Sequence, residues 1–333
     1  MNITGFCING DAIHTNGNLS RLSDDLAFFQ QCGFDGVELS VPELDVVING
    51  RLRRPQLERL RAITGRYPFV YTIHAPMRLN LAFPPKEPRG SPELQLEQDV
   101  FVACLDLCAA IGARVMVYHS GLIALQEAAS GLDELPNEEM LEAARLQEVS
   151  TLRELMPLAA MRGVIVAMEN RDPHPWEIAT LRRAGLPPGQ LLKYHGGMSI
   201  PNLVRQVSEV NHPNLGLTLD FAHLFIAANL CGFDYLEAVR QAAPHVRHLH
   251  SSDNFGRLGS VFDDVGERIP YGDADLHLPP GWGTIPHVKA LARLTGYQGL
   301  YVLEISSRYR EHLADALQTA RRLVDQVTGP LGI

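Results

Sequence analysis

Residues 164–170 read Val-Ile-Val-Ala-Met-Glu-Asn. A short run of apolar and β-branched residues stops at a carboxylate followed by an amide. Such a run fits a strand buried on both faces, as in a parallel sheet covered by helices. The same construction recurs along the chain: VYTIHAP (70–76), VMVYH (115–119), LGLTLDFAH (215–223), VRHLHSSDN (246–254) and LYVLEIS (300–306). Each run ends at His, Asp or Glu. Two further runs bring the strand count to eight, near 3–8, 36–39, 69–74, 114–119, 164–169, 215–220, 246–251 and 300–305.

Helical periodicity fills the intervals. In 19–32, Leu19, Leu22, Leu26 and Phe29 share one face and the pattern stops at Gly33. Residues 55–64 and 92–111 behave alike, the second with Ser91 as N-cap and Pro92 in the first turn. Further helices are expected at 137–161, 200–210, 232–243, 285–296 and 309–327. The junctions Cys32-Gly33-Phe34-Asp35-Gly36, Ile111-Gly112-Ala113 and Tyr297-Gln298-Gly299 place a glycine between helix and strand, where a left-handed C-cap is wanted. Eight strand–helix repeats with right-handed crossovers predict an α/β chain closed into a single (β/α)8 barrel, one domain over 1–333. Three βα loops are long: 78–91, 171–199 and 252–283. All three should cover the face where the strands end.

Composition limits the partners. Of 333 residues, 46% are hydrophobic and 20% charged, and the formal net charge is −9. An acidic chain does not encourage nucleic-acid binding. Its one tight basic cluster, Arg51-Leu52-Arg53-Arg54, reads as the solvated start of a helix. Neither a transmembrane span nor a signal peptide is expected, and the five scattered cysteines suit reduced thiols, so a cytoplasmic location is expected. A homo-oligomer is compatible with the sequence. There is no G-x-S-x-G elbow and no G-x-G-x-x-G after the first strand.

The strand ends carry the chemistry. Glu169, Asp220, His250 and Glu304 close four successive strands. Three carboxylates converging on one point repel one another, and a divalent cation removes that penalty. His74, His119, His223, Asp275 and His277 extend the set, with a D-x-x-H pairing of Asp220 with His223 and a D-x-H pairing of Asp275 with His277. One to three ions are expected. Imidazole and carboxylate ligands without thiolate suit zinc, manganese, cobalt or iron. His248, two residues before His250, should lie one layer deeper and pack in the core. Trp176, Lys193 and His195 of the 171–199 loop are candidate wall or phosphate contacts for a substrate.

Taken in order, HAPMRLNLA, YHSG, MEN, LDFAH, HLHSSDN, DLHLPPGWG and VLEIS resemble the xylose isomerase-like TIM barrels across nearly the whole chain. That superfamily includes the sugar phosphate isomerase/epimerase group and AP endonuclease family 2. The nine ligands match the trinuclear zinc set of the endonuclease IV group. By that resemblance His74 and His119 hold one metal with Glu169 bridging to a second, Asp220, His250 and Glu304 complete the second, and His223, Asp275 and His277 hold a third. Those enzymes cleave DNA beside an abasic site. They use a basic, aromatic recognition loop after the second strand, whereas GVELSVPELDVVINGRL (36–52) starts acidic and apolar. GFDGVELS and DLHLPPGWGTI instead resemble the isomerase and epimerase branch. There the equivalents of Glu169, Asp220, His250 and Glu304 hold one ion, and Glu169 and Glu304 exchange a proton with a sugar carbon through an enediolate. His223 then binds a substrate hydroxyl or the enediolate oxygen. The expected function is metal-dependent isomerisation or epimerisation of a sugar, sugar phosphate or related polyol. A sugar-derived lyase or dehydratase and an abasic-site phosphodiesterase are the alternatives.

Overall fold

In the computed structural model the described residues are 1–9, 15–82, 92–125, 134–259 and 265–329. Eight parallel strands close into a barrel: β1 (Asn2–Ile8), β2 (Gly36–Ser40), β5 (Val70–His74), β6 (Val115–His119), β7 (Ile165–Glu169), β8 (Leu215–Asp220), β9 (Val246–Ser251) and β10 (Gln298–Leu303). Going round, the order is β1-β10-β9-β8-β7-β6-β5-β2, so the first and last barrel strands meet at a seam. All barrel pairs are parallel, which brings every strand C-terminus to one face. The chain therefore has the (β/α)8 TIM-barrel fold.

β3 (Val47–Ile48) and β4 (Arg51–Leu52) form a small antiparallel ribbon outside the barrel. This corrects the reading of Arg51-Leu52-Arg53-Arg54 as a helix start. Arg51 and Leu52 are strand, and helix begins only at Arg54, because Asn49 and Gly50, both with positive φ, turn the chain back there.

The outer helices are α1 (Leu19–Cys32), α2 (Arg54–Thr64), α3 (Pro92–Ile111), α4 (Glu138–Met161), α5 (Pro175–Arg183), α6 (Leu191–Tyr194), α7 (Ile200–Val210), α8 (Phe221–Cys231), α9 (Tyr235–Ala242), α10 (Val265–Arg268), α11 (His287–Arg293) and α12 (Leu313–Thr328). Gly33 and Gly112 adopt the left-handed conformation at helix ends, as their sequence context requires. At the third junction the left-handed residue is Gly296, and Gly299 lies inside β10. The Ser91 cap falls outside the described residues.

Two departures matter for the site. α8 starts at Phe221, directly after the Asp220 carboxylate, where only a strand end and loop were read. Its residues are apolar nearly all round, so no amphipathic period marks it. The long 171–199 segment contains α5 and α6 rather than open loop. Among the described residues, no helix is long and apolar enough to cross a membrane.

Candidate metal centre

Parallel register brings the strand-end residues together. His119 pairs with Glu169 across β6 and β7, and Asp220 pairs with His250 across β8 and β9. The nine residues gather into three groups, the first two sharing Glu169: His74, His119 and Glu169; Glu169, Asp220, His250 and Glu304; His223, Asp275 and His277. Within each group one ligand atom per residue lies within 4.8 Å of the others. Glu169 belongs to two groups. Its Oε2 is 2.6 Å from His119 Nε2 and 3.3 Å from His74 Nε2, while its Oε1 is 3.0 Å from His250 Nδ1.

Local bonds aim these groups. His74 Nδ1 donates to the carbonyl of Ala75 at 2.7 Å, which fixes the tautomer and leaves Nε2 facing Glu169. His223 Nδ1 donates to the carbonyl of Asn170 at 2.9 Å, leaving Nε2 toward Asp275, 3.4 Å away. Asn170 also ties β7 to β8: its Oδ1 accepts from the Asp220 amide at 2.9 Å and its Nδ2 donates to the Asp220 carbonyl at 3.0 Å. Asp220 is the N-cap of α8, and its side chain accepts from the His223 amide. One carboxylate oxygen thereby starts the helix. The other, Oδ2, is buried without a hydrogen-bond partner, and so is Asp275 Oδ1.

The electrostatics tell the same story. Burial, joined by Glu304, Glu169 and Asp275, pushes the Asp220 carboxyl up to about 8, although His223 opposes this. Burial works against charge on Glu304 as well, yet His250 holds it down to about 2. Burial disfavours a charged His74, but the Glu169 carboxylate overcomes it and raises the ring to about 9. His119 is lowered to about 4, chiefly by burial. Buried carboxylates press on the imidazoles and on one another, and Asp220 Oδ2, Asp275 Oδ1 and Glu304 Oε2 accept no hydrogen bond. That donor set fits a divalent cation.

Glu38 on β2 is a member of this assembly that the sequence reading did not single out. It is fully buried, and its Oε2 accepts from Thr72 Oγ1 at 2.9 Å and lies 2.9 Å from His248 Nε2. Its Oε1 approaches His250 Nε2 at 2.9 Å. His250 thus has a carboxylate behind it and the cluster in front, an arrangement that orients metal-binding imidazoles. His248 lies in the layer below, buried as its spacing predicts. The only sequence signal for Glu38 is an acid inside an otherwise apolar strand.

Loop 252–283 is tied down by Asp253. Its Oδ1 accepts from the Asn254 and Ile285 amides and its Oδ2 from Gly281 at 2.8 Å, and an antiparallel bridge joins it to Leu278. His277 adopts a positive φ of 47°, an uncommon conformation for a non-glycine residue, beside Asp275. Trp176, Lys193 and His195 sit elsewhere. Lys193 Nζ pairs with Glu138 at 3.1 Å near the surface. Trp176 stacks on His174 and packs against the small core beneath α5. His195 is fully buried, with Nδ1 3.0 Å from Glu177 Oε1. Among the described residues, none of these three hydrogen-bonds or ion-pairs with any of the nine.

A closed parallel barrel with a buried His/carboxylate cluster at its strand C-termini offers donors of the kind a divalent cation takes. The model of the xylose isomerase-like TIM barrel family matches residues 26–326, and the chain belongs to that family. Among solved structures, a D-tagatose 3-epimerase-like protein is similar at a TM-score of 0.67 and 19% identity, covering 98% of this chain and 100% of that one. The 3-keto-D-glucoside 4-epimerase YcjR from E. coli gives 0.63 and 16%, covering 95% and 98%. The IolI protein, crystallised with a bound zinc atom, gives 0.61 and 20%, covering 97% and 98%. At these identities the likeness establishes the fold. A curated relative, an uncharacterized protein of Methanocaldococcus jannaschii, is 24% identical over 159 residues, 46% of this chain and 41% of its own length, so the chain spans about two fifths of it.

Proposed function

We propose that this barrel is a divalent-metal-dependent isomerase or epimerase of a ketose or related polyol. The observation that carries the reading is the group Glu169, Asp220, His250 and Glu304, buried at the ends of four adjacent strands. The epimerases of the same fold support it. A bound divalent cation would polarise a carbonyl and stabilise charge developing on the neighbouring oxygen. Glu169 and Glu304 would hold the proton that leaves and returns to the carbon beside that carbonyl. Asp220 and His250 would complete the ligand set, with Glu38 fixing the imidazole. His223, anchored through Nδ1 by Asn170, would present Nε2 to a substrate oxygen.

The test is solvent-deuterium incorporation next to the carbonyl, followed by NMR with metal-saturated protein in D2O over a panel of ketoses and their phosphates. Wild type should incorporate deuterium. Glu169→Gln and Glu304→Gln should each lose about 100-fold or more, the usual scale for general acid–base catalysis. Undiminished turnover in both variants, with metal content verified, overturns the roles. A second reading, phosphodiester hydrolysis, draws on the third group, His223, Asp275 and His277, which a one-metal epimerase does not need. Incision of an abasic duplex by the same metal-saturated protein, with no deuterium incorporated into any sugar, would favour it.

A further inference from the structure

A cavity of about 210 Å³ opens among the loops that follow His74, His119 and Glu169. Met77, Arg78, Leu79 and Asn80 line one side, Gly121 and Ile123 another, and Arg171 a third. These residues lie on the three loops that leave β5, β6 and β7, a few positions past His74, His119 and Glu169. The field of Arg171 is felt at the His119 ring.

Arg171 is half-buried and forms no ion pair among the described residues, although the charges of Asp172, Glu177 and Glu169 reach it from farther off. Its Nη1 reaches only the carbonyls of Met77 and Ser120, at the long distances of 3.4 and 3.5 Å. The backbone around it is firmly held. The Arg171 amide donates to the Gly197 carbonyl at 3.0 Å, and a Cβ at Gly197 would stand 3.2 Å from Arg171 Cδ. The guanidinium is therefore positioned but under-used. Asn80 holds the Ala82 amide through Oδ1 at 2.9 Å, and its Nδ2 has no hydrogen bond among the described residues. Arg78 is exposed on the same wall.

A larger cavity of about 680 Å³ beneath the 134–145 segment provides a contrast. It too has basic walls, but Arg145 and Arg205 both pair with Glu142 and Glu209, and Lys193 pairs with Glu138. Its charge is already neutralised. Of these two cavities, the smaller one offers, among the described residues, a guanidinium without an ion-pair partner, and a planar five-donor fork suits phosphate or carboxylate.

We propose that the cavity lined by Arg171, Arg78 and Asn80 is an anion subsite for the phosphate or carboxylate of a small substrate whose reacting carbons lie on the metal cluster. The inference deepens the isomerase reading, on which it rests for the remainder of the ligand. It narrows the substrates to sugar phosphates or sugar acids over neutral ketoses.

Calorimetric titration of the metal-loaded protein with fructose, fructose 6-phosphate, glucuronate and inorganic phosphate tests it. Fructose 6-phosphate or glucuronate should bind at least tenfold more tightly than fructose, and whichever is favoured identifies the anion. Arg171→Met should erase that preference and change fructose binding less than twofold, with metal content unchanged. Arg171→Lys should recover part of it. Equal affinities for neutral and anionic sugars overturn the subsite. So does an anion preference of the same size in Arg171→Met, since the anion would then sit on the metals. If Arg171→Met fails to fold, the Arg78→Met and Asn80→Ala variants give the same reading from the cavity's other wall. These titrations read binding, so failure of deuterium incorporation into every sugar would remove the isomerase reading without deciding this one.

Discussion

Glu38 shows how much a single buried carboxylate can govern. It touches no prospective substrate position, yet it backs both His248 and His250 from inside the barrel. Glu38→Gln should therefore weaken metal binding by about 10–100-fold, the usual penalty for losing the partner behind a metal-bound imidazole. A chelator-competition titration reads this, and affinity equal to wild type would show that His250 holds its orientation unaided. The six residues at strand ends were legible because each closes an apolar run and their chemistry is correlated across strands, and His223, Asp275 and His277 because they stand at short spacings in the segments that follow. Glu38 and Arg171 were not. Neither stands in a pattern that marks it, and only the three-dimensional neighbours, His250 in one case and a cavity in the other, reveal what it faces.

Among elements, the strands and most helices followed from periodicity to within a few residues. α8 did not, since a helix buried on every side has no polar face to report its period. The 171–199 segment hid α5 and α6 for a different reason: both are short, and prolines at 173, 175, 187 and 188 read as loop signals. The described residues on either side of 260–264 in the 252–283 loop meet through close backbone approaches that no local pattern announces. At Gly283 a Cβ would come within 2.3 Å of the Asn254 carbonyl oxygen and 2.4 Å of Asp253 Oδ1. Gly283→Ala must push this loop off its Asp253 anchor, at a cost of about 1–3 kcal/mol for an overpacked site. Any ion held by His223, Asp275 and His277 should be lost, while one held by the group around Glu304 should stay. Denaturant unfolding and elemental analysis together check this, and full stability with full metal content would contradict it.

For the molecule as a whole, the cluster sets how stability responds to pH. The folded state raises Asp220 from its ordinary carboxylate value to about 8 and His74 to about 9. Groups raised on folding contribute stability below their unfolded pKa and lose it as pH climbs through the folded value. Metal-free protein should accordingly become less stable between about pH 7 and 9, as both groups give up protons inside the barrel. A divalent cation compensates the exposed carboxylate charge, so the added metal should raise Tm more at pH 9 than at pH 7. Thermal melts with and without chelator measure the difference, and a metal effect that shrinks with rising pH would run against the assignment.

The seam between β1 and β10 has one more consequence. Glu304 is the residue immediately after β10, and β10 is held in the barrel by β9 on one side and by the chain's first strand on the other. The last carboxylate of the cluster is thus set in place by residues 2–8, some three hundred positions upstream. Full-strength capture of an ion by this cluster would therefore report that β1 and β10 have paired. A cation there would act as a lock that turns only after the ring is shut, and a chain lacking β10 would carry most of the ligands without the grip.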